Sequence, residues 1–233
     1  YGTEDGLMDA PIRVYVTSAG QVWAAGSHQG VASTALLVGD RWEKQEHPAL
    51  SWGIDYRAVF ESSDGTMWFG AAVDAEIGKG QMGGLLELKH PDDFPLVWKH
   101  HIPGEHGLQQ SNVYGIAESP DGKIWIGGGS LYAYDGTAWQ QANDDRLRQF
   151  VNVLYNTDGL LIIGSRYYGV FTYDGTTWKN YSTADGLSGN TIISIDAVND
   201  RSIFVSTEND ICRFDGKSWI QHVFPAEMNM ELE

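Results

Sequence analysis

The chain reads as all-β, a propeller of four-stranded antiparallel blades that is either five-bladed or five blades of a larger ring. Three observations predict it. Short apolar and aromatic runs of strand length are separated by Gly-rich turns, with 28 Gly and 12% aromatics in 233 residues, while helical periodicity is nearly absent. Tryptophans stand at 42, 98, 139, 178 and 219, separated by 56, 41, 39 and 41 residues. A period near 40 holding four strands is the length of one propeller blade.

Each repeat is justified in turn. A Gly opens the second strand and an aromatic or large apolar residue follows three later, as in Gly20-Gln21-Val22-Trp23, Gly65-Thr66-Met67-Trp68 and Gly122-Lys123-Ile124-Trp125. Gly159-Leu160-Leu161-Ile162 and Arg201-Ser202-Ile203-Phe204 are weaker copies in the same register. The fourth strand is announced by an aromatic-Asp-Gly turn leading to Trp, at Tyr134-Asp135-Gly136 to Trp139, Tyr173-Asp174-Gly175 to Trp178 and Phe214-Asp215-Gly216 to Trp219. Asp-Gly is a tight-hairpin signal, so these turns and Asp121-Gly122 and Asp158-Gly159 are expected to place both central residues at positive φ. The remaining, innermost strand carries a β-branched residue six positions before the aligned Gly position, namely Val14, Val59, Ile116, Val153 and Ile195, and that column is expected to be core. The repeats then span 1–48, 49–104, 105–147, 148–182 and 183–223 as one domain, with 224–233 a polar tail or linker.

Asp5-Gly6-Leu7 and Asp185-Gly186-Leu187 precede two repeats. With the apolar strand, Asp-Gly-x-x-Trp-x-Gly and Tyr-Asp-Gly-x-x-Trp that follow, they resemble the two-component regulator propeller repeat over residues 1 to about 223. That resemblance implies the extracytoplasmic sensor region of a bacterial histidine kinase or hybrid two-component regulator, and larger rings. It also implies a non-catalytic, periplasmic or extracellular input domain that binds a small molecule or oligosaccharide, with self-association or contact with neighbouring signalling domains open to it. Propellers resembling streptogramin lyase carry similar hairpins, so a lyase or hydrolase using His100 or His106 is the rival. A protein-interaction scaffold is the third reading.

Composition excludes several classes. Thirty-one acidic residues against 15 basic give a net charge of −16, which repels phosphate backbones and makes nucleic acid an unsuitable partner. Basic residues are scattered, and no apolar run approaches the length of a membrane span, so no direct membrane insertion is expected. Cys212 is the only cysteine, which rules out an internal disulfide and reads as a small buried hydrophobe. His28, His47, His100, His101 and His106 lack the spacing of a metal site, and the Asp-Gly pairs lack the alternating ligands of a calcium loop. No cofactor and no metal are expected.

The connections of a meander blade alternate between two faces of the disc. One face receives short, uniform hairpins. The other receives the irregular loops 27–33, 71–84, 127–130, 165–169 and 207–210 and the links 47–52, 100–108 and 142–148, where binding residues usually lie. The Trp residues at 23, 68, 125, 139, 178 and 219 recur by repeat and are read as packing between blades. Trp52, Tyr167 and Tyr168 do not recur, and form either an aromatic wall for a flat ligand or loop packing. Arg13, Arg57, Tyr114 and Asn152 break the apolar pattern where the innermost strands begin. An arginine there forks onto a ligand carboxylate or phosphate, or onto an internal Asp or Glu.

Overall fold

The computed structural model describes residues 1–72, 80–157 and 159–221, with the side chains of Asn152 and Val153 outside that description. Twenty strands form five separate antiparallel sheets, each a four-stranded meander in chain order. Blade 1 is β1 (Ala10–Val16), β2 (Val22–His28), β3 (Val31–Val38) and β4 (Arg41–Glu46). Blade 2 is β5 (Gly53–Glu61), β6 (Met67–Ala72), β7 (Leu85–Leu88) and β8 (Lys99–His101). Blade 3 is β9 (Gly115–Glu118), β10 (Ile124–Gly127), β11 (Tyr132–Tyr134) and β12 (Trp139–Gln141). Blade 4 is β13 (Val151–Thr157), β14 (Leu160–Ser165), β15 (Val170–Tyr173) and β16 (Trp178–Tyr181). Blade 5 is β17 (Ile192–Asn199), β18 (Ser202–Thr207), β19 (Ile211–Phe214) and β20 (Trp219–Gln221). The innermost strands β1, β5, β9, β13 and β17 lie against one another in that order. Among the described residues no helix is long and apolar enough to cross a membrane.

Each recurring motif has a packing reason. In Ser-x-Asp-Gly-x-x-Trp the Ser119 hydroxyl accepts from the Trp125 indole N–H at 2.8 Å, and Ser62 accepts likewise from Trp68 at 3.1 Å. The hydroxyl in turn donates to Asp121 or Asp64, so the turn aspartate orients the core indole. In Tyr-Asp-Gly-x-x-Trp the Tyr134 ring stacks on Trp139 at 4.9 Å while its hydroxyl donates to the Gly136 carbonyl at 2.8 Å. Tyr173, Gly175 and Trp178 repeat the arrangement at 4.6 and 2.7 Å. Asp135 accepts from the Thr137 and Ala138 N–H groups, both at 2.9 Å, which satisfies the turn backbone. The glycine before Leu108 is required by close approach, because at φ 88° a Cβ on Gly107 would lie 2.2 Å from the Trp139 carbonyl oxygen.

Three expectations are revised. The Asp-Gly turns at Asp64, Asp121, Asp135, Asp174 and Asp215 are not two-residue hairpins with two positive φ values. Only the glycine is left-handed, at φ 77° for Gly122 and 92° for Gly136, while the aspartate serves as a hydrogen-bond acceptor; Asp158 lies outside the described residues. The strand register shifts in blade 4, because the β13–β14 hairpin is one residue shorter: Tyr155 pairs with Ile162, whereas Ala117 pairs with Trp125, so Leu154, which is buried, takes the pairing place of Ile116, and the Val153 side chain expected in the core lies outside the described residues. Trp178 is 38% exposed, standing edge-on to Trp125 at the outer rim, while the other five recurring Trp residues are buried. The tail 224–233 lies outside the described residues.

The core is a series of seams between consecutive blades. Trp23, Leu36, Ile54, Met67 and Phe69 join blades 1 and 2; Trp68, Leu85, Ile116, Ile126 and Tyr132 join blades 2 and 3. Trp125, Leu154, Ile163 and Phe171 join blades 3 and 4, and Ile162, Val170, Ile195, Val205 and Phe214 join blades 4 and 5. Among the described residues no such cluster joins blade 5 to blade 1. The far side of blade 1 carries only its own small cluster of Met8, Ala24, Ala35 and Trp42. The column residue there, Val14, was expected in the core and is 58% exposed because no blade covers it among the described residues.

Candidate functional site

Four of the five innermost strands share an irregularity near their starts, ahead of the core column. β1, β13 and β17 each step out of register around Ile12, Asn152 and Ile193, and β5 does so over residues 55–58. A bulge re-aims a side chain away from the ladder, which is how a strand presents a residue to a site. By this register Ile12, Arg57, Tyr114, Asn152 and Ile193 occupy equivalent places. Three of the four polar residues singled out at the strand starts therefore fall on one column. Arg13 does not; it pairs with Ala25, is exposed, and makes no ion pair among the described residues.

Arg57 is the member held by the most contacts. Asp55, buried, accepts from Arg57 Nε at 2.9 Å and Nη2 at 2.8 Å, and from the Arg57 backbone N–H at 2.9 Å. That fork raises the guanidinium pKa above its ordinary value. The guanidinium carbon lies 4.6 Å from the Tyr114 ring centre and 5.1 Å from that of Tyr56. Cation–π contact of this kind contributes about 0.5–1 kcal/mol at exposed positions. Nη1 makes no hydrogen bond among the described residues, so the group offers directed donors beside two phenolic rings. The internal pairing weighed for Arg57 is thus present, and it leaves part of the fork unused.

A second cluster lies on the same irregular side. Phe150, Tyr167 and Tyr168 meet edge to face, at 6.4 Å for each consecutive pair, and the Arg166 guanidinium carbon lies 5.6 Å from the Phe150 ring centre and 5.7 Å from Tyr167. The Gly127-Gly128-Gly129 loop links the clusters through its backbone. The Tyr114 N–H donates to the Gly127 carbonyl at 2.8 Å and the Phe150 N–H to the Gly129 carbonyl at 3.0 Å. Trp52 is exposed and makes no ring contact among the described residues, so of the three aromatics singled out the structure brings only Tyr167 and Tyr168 together. Asp55, Tyr56, Phe150 and Arg166 were missed. Asp55-Tyr56-Arg57 was legible as an acid-aromatic-base run, whereas nothing in the sequence marks Phe150.

The histidines do other work. His101 Nδ1 accepts from the Trp139 indole at 3.0 Å and its Nε2 donates to Glu87 at 2.7 Å, burying both groups in the blade 2–3 seam. Burial works against the Glu87 carboxylate, yet hydrogen bonds from His101 and Lys99 bring it down to about 2. His47 is buried against Trp98 and bonded to Thr34, and burial, with His100 nearby, lowers it to about 4. His100 bonds the Gly83 carbonyl at 2.7 Å, and His106 accepts the Trp139 N–H through its backbone. Among the described residues no group of three His, Cys, Asp or Glu side chains could hold a metal ion.

The five meander blades and the loop-borne aromatic clusters define a β-propeller whose irregular face is chemically distinct. Residues 107–130 match the family model of the two component regulator propeller, in agreement with the resemblance read from the motifs. The fold is similar to the extracellular domain of a hybrid two component system of B. thetaiotaomicron, at 17% identity and a TM-score of 0.55 over 91% of this chain and 37% of that one. A second such domain from the same organism aligns at 16% identity and a TM-score of 0.55, over 92% and 34%. The chain thus spans little more than a third of these domains. It is also similar to virginiamycin B lyase from Staphylococcus aureus in its inactive histidine-to-alanine form with quinupristin, at 16% identity and a TM-score of 0.66, over 93% and 71%. At these identities the likeness concerns the fold. No curated protein matches the chain.

Proposed function

We propose that this propeller is a non-catalytic ligand-recognition domain, the extracytoplasmic input of a two-component-type signalling protein. In this reading residues 1–223 act as one unit, periplasmic or cell-surface, that binds a small molecule or glycan fragment on the irregular face. One observation carries it: Arg57, fixed by Asp55 and lying 5.1 Å from the Tyr56 ring centre and 4.6 Å from that of Tyr114, keeps unused donors beside flat apolar rings. Sugars are recognised by that combination, a ring face for stacking and planar donors for hydroxyl pairs. Similarity to the extracellular domains of hybrid two component systems supports the same class. Trp52 and Asn152 are proposed as outlying contacts of this site, and Arg13 as a weaker one.

The test is a thermal-shift and calorimetry screen against oligosaccharides and organic acids, since a ligand that binds only the folded state raises Tm by mass action. A hit whose affinity falls about tenfold in Tyr114→Ala, with Tm in the absence of ligand little changed, would support the assignment; each tenfold is about 1.4 kcal/mol. No hit, or a hit indifferent to both Tyr114→Ala and Arg57→Gln, would sink it. Turnover of a ligand, lost in His100→Ala or His106→Ala, would favour the lyase or hydrolase reading instead.

A further inference from the structure

The Phe150–Arg166–Tyr167 cluster has features that the Arg57 cluster lacks, and they concern charge. Arg57 already holds a carboxylate, but the Arg166 guanidinium makes no hydrogen bond or ion pair among the described residues, in a chain with 31 acidic side chains. Its place is nevertheless fixed. Its backbone N–H donates to the Phe150 carbonyl at 3.0 Å, and its guanidinium lies over both the Phe150 and Tyr167 rings. Cation–π attraction to the two rings leaves the guanidinium N–H groups available to an acceptor pair.

Phe150 is itself held at a cost. Its φ is 37°, in the left-handed region that a bulky residue rarely adopts, and its ring is 43% exposed beside Tyr167 at 47%. That conformation leaves the residue partly open to solvent. It also places a flat apolar surface against an unpaired cation, and strained residues cluster at ligand clamps.

We infer that Phe150, Arg166 and Tyr167 form an anion-selective subsite for an acidic sugar, the aromatic rings taking the pyranose face and Arg166 its carboxylate or sulfate. This rests on the recognition reading above and adds the ligand class. In a chain of charge −16, long-range repulsion disfavours anions. A stacked, unpaired guanidinium supplies the local attraction that an acidic ligand needs.

The experiment is isothermal calorimetry on the full chain with four probes: trigalacturonate, a sulfated chondroitin disaccharide, cellotriose and maltotriose. The expected result is binding of one or both acidic probes, with affinity falling at least tenfold in Arg166→Gln and also falling with added salt. The two acidic probes separate carboxylate from sulfate recognition. Phe150→Gly gives a second readout, because it should weaken acidic-probe binding while leaving Tm unchanged or raised through relief of the positive φ; a merely structural ring would lower Tm on removal. Binding of neutral probes alone, weakened by Tyr114→Ala but not by Arg166→Gln, overturns the acidic assignment and leaves recognition on this face standing. Failure of both acidic probes to bind overturns it outright.

Discussion

Blade 3 and blade 5 are built from the same repeat but live in different surroundings. In blade 3 the second strand, Ile124–Gly127, is buried at every position, because Ile124 and Ile126 face blade 2 while Trp125 faces blade 4. In blade 5 the second strand, Ser202–Thr207, alternates: Ile203 and Val205 are buried towards blade 4, and Ser202, Phe204 and Ser206 are only partly covered. Blade 1 shows the opposite uncovered side. Its column residue Val14 is 58% exposed where Ile116, the same place in blade 3, is 4% exposed. Burial in this molecule therefore belongs to the seam and not to the residue type. A blade side becomes core only where a neighbour is laid against it.

The largest expected effect separates the seams from the uncovered sides. Trp125→Ala removes an indole buried between Leu154, Ile163 and Phe171 and leaves Ser119 without its donor, so it should destabilise by about 3–5 kcal/mol. Phe204→Ala, at the equivalent place of blade 5, loses a partly exposed ring that lies 5.7 Å from the Arg213 guanidinium and belongs to no buried cluster among the described residues, and should cost about 1 kcal/mol or less. Ile116→Ala against Val14→Ala repeats the contrast one strand inward, at about 2–4 kcal/mol against less than about 0.5. Chemical denaturation of the four variants measures it. Equal losses within each pair would mean that the uncovered sides are covered in solution and would break the comparison.

These contrasts also show what was legible in the sequence. Strand order, blade length and the turn-to-Trp motif could be read because each is dictated locally: Asp135 and Gly136 build their own turn, and Tyr134 finds Trp139 five residues away. The exposure of Val14 could not be read, since its neighbour is missing in space rather than in sequence. The blade 4 register could not be read either, because a one-residue change in a hairpin moves every pairing behind it. On the irregular face, Arg57 and Tyr114 stood out as polar residues at apolar strand starts, but their mutual contact needed the bulge. Phe150 and Arg166 lie 16 positions apart and meet only through the fold. A local code reaches turns and columns; it does not reach contacts set by the closing of one loop on another.

The next effect is one of pH and sharpens the difference between the buried link and the open rim. His47 sits in the blade 1–2 link with its pKa lowered from 6.5 to about 4 by burial and by His100. A histidine with a depressed folded-state pKa favours folding while neutral, so its contribution is complete above pH 6.5 and is lost as pH falls through that value towards 4. The loss is about 3 kcal/mol by pH 4. His101 is lowered as well, with burial leading, and adds in the same direction. Denaturation midpoints taken from pH 7 to pH 4 should fall steeply in the parent chain and less steeply in His47→Gln. An unchanged slope in that variant would show that acid destabilisation arises elsewhere.

The smallest expected effect lies within the triple-glycine loop that joins the two aromatic clusters, and it distinguishes a packed position from an open one. A Cβ on Gly128 would lie 2.5 Å from the Asn112 carbonyl oxygen and 3.1 Å from the Gln110 amide, against backbone that cannot yield without moving the link 100–114. A Cβ on Gly129 meets nothing within 4 Å, and its φ is not in the left-handed range. Gly128→Ala should therefore destabilise by about 1–3 kcal/mol, as overpacking does. Gly129→Ala should lie within about 0.5 kcal/mol of the parent, with a small gain from the reduced freedom of the unfolded chain. Because the Gly127 and Gly129 carbonyls accept from Tyr114 and Phe150, a shift of this loop also moves both rings. Gly128→Ala should consequently weaken ligand binding more than its stability loss accounts for. If it lowers Tm yet leaves the affinity of a bound probe intact, the loop is only a spacer, and the two aromatic clusters recognise their ligands independently.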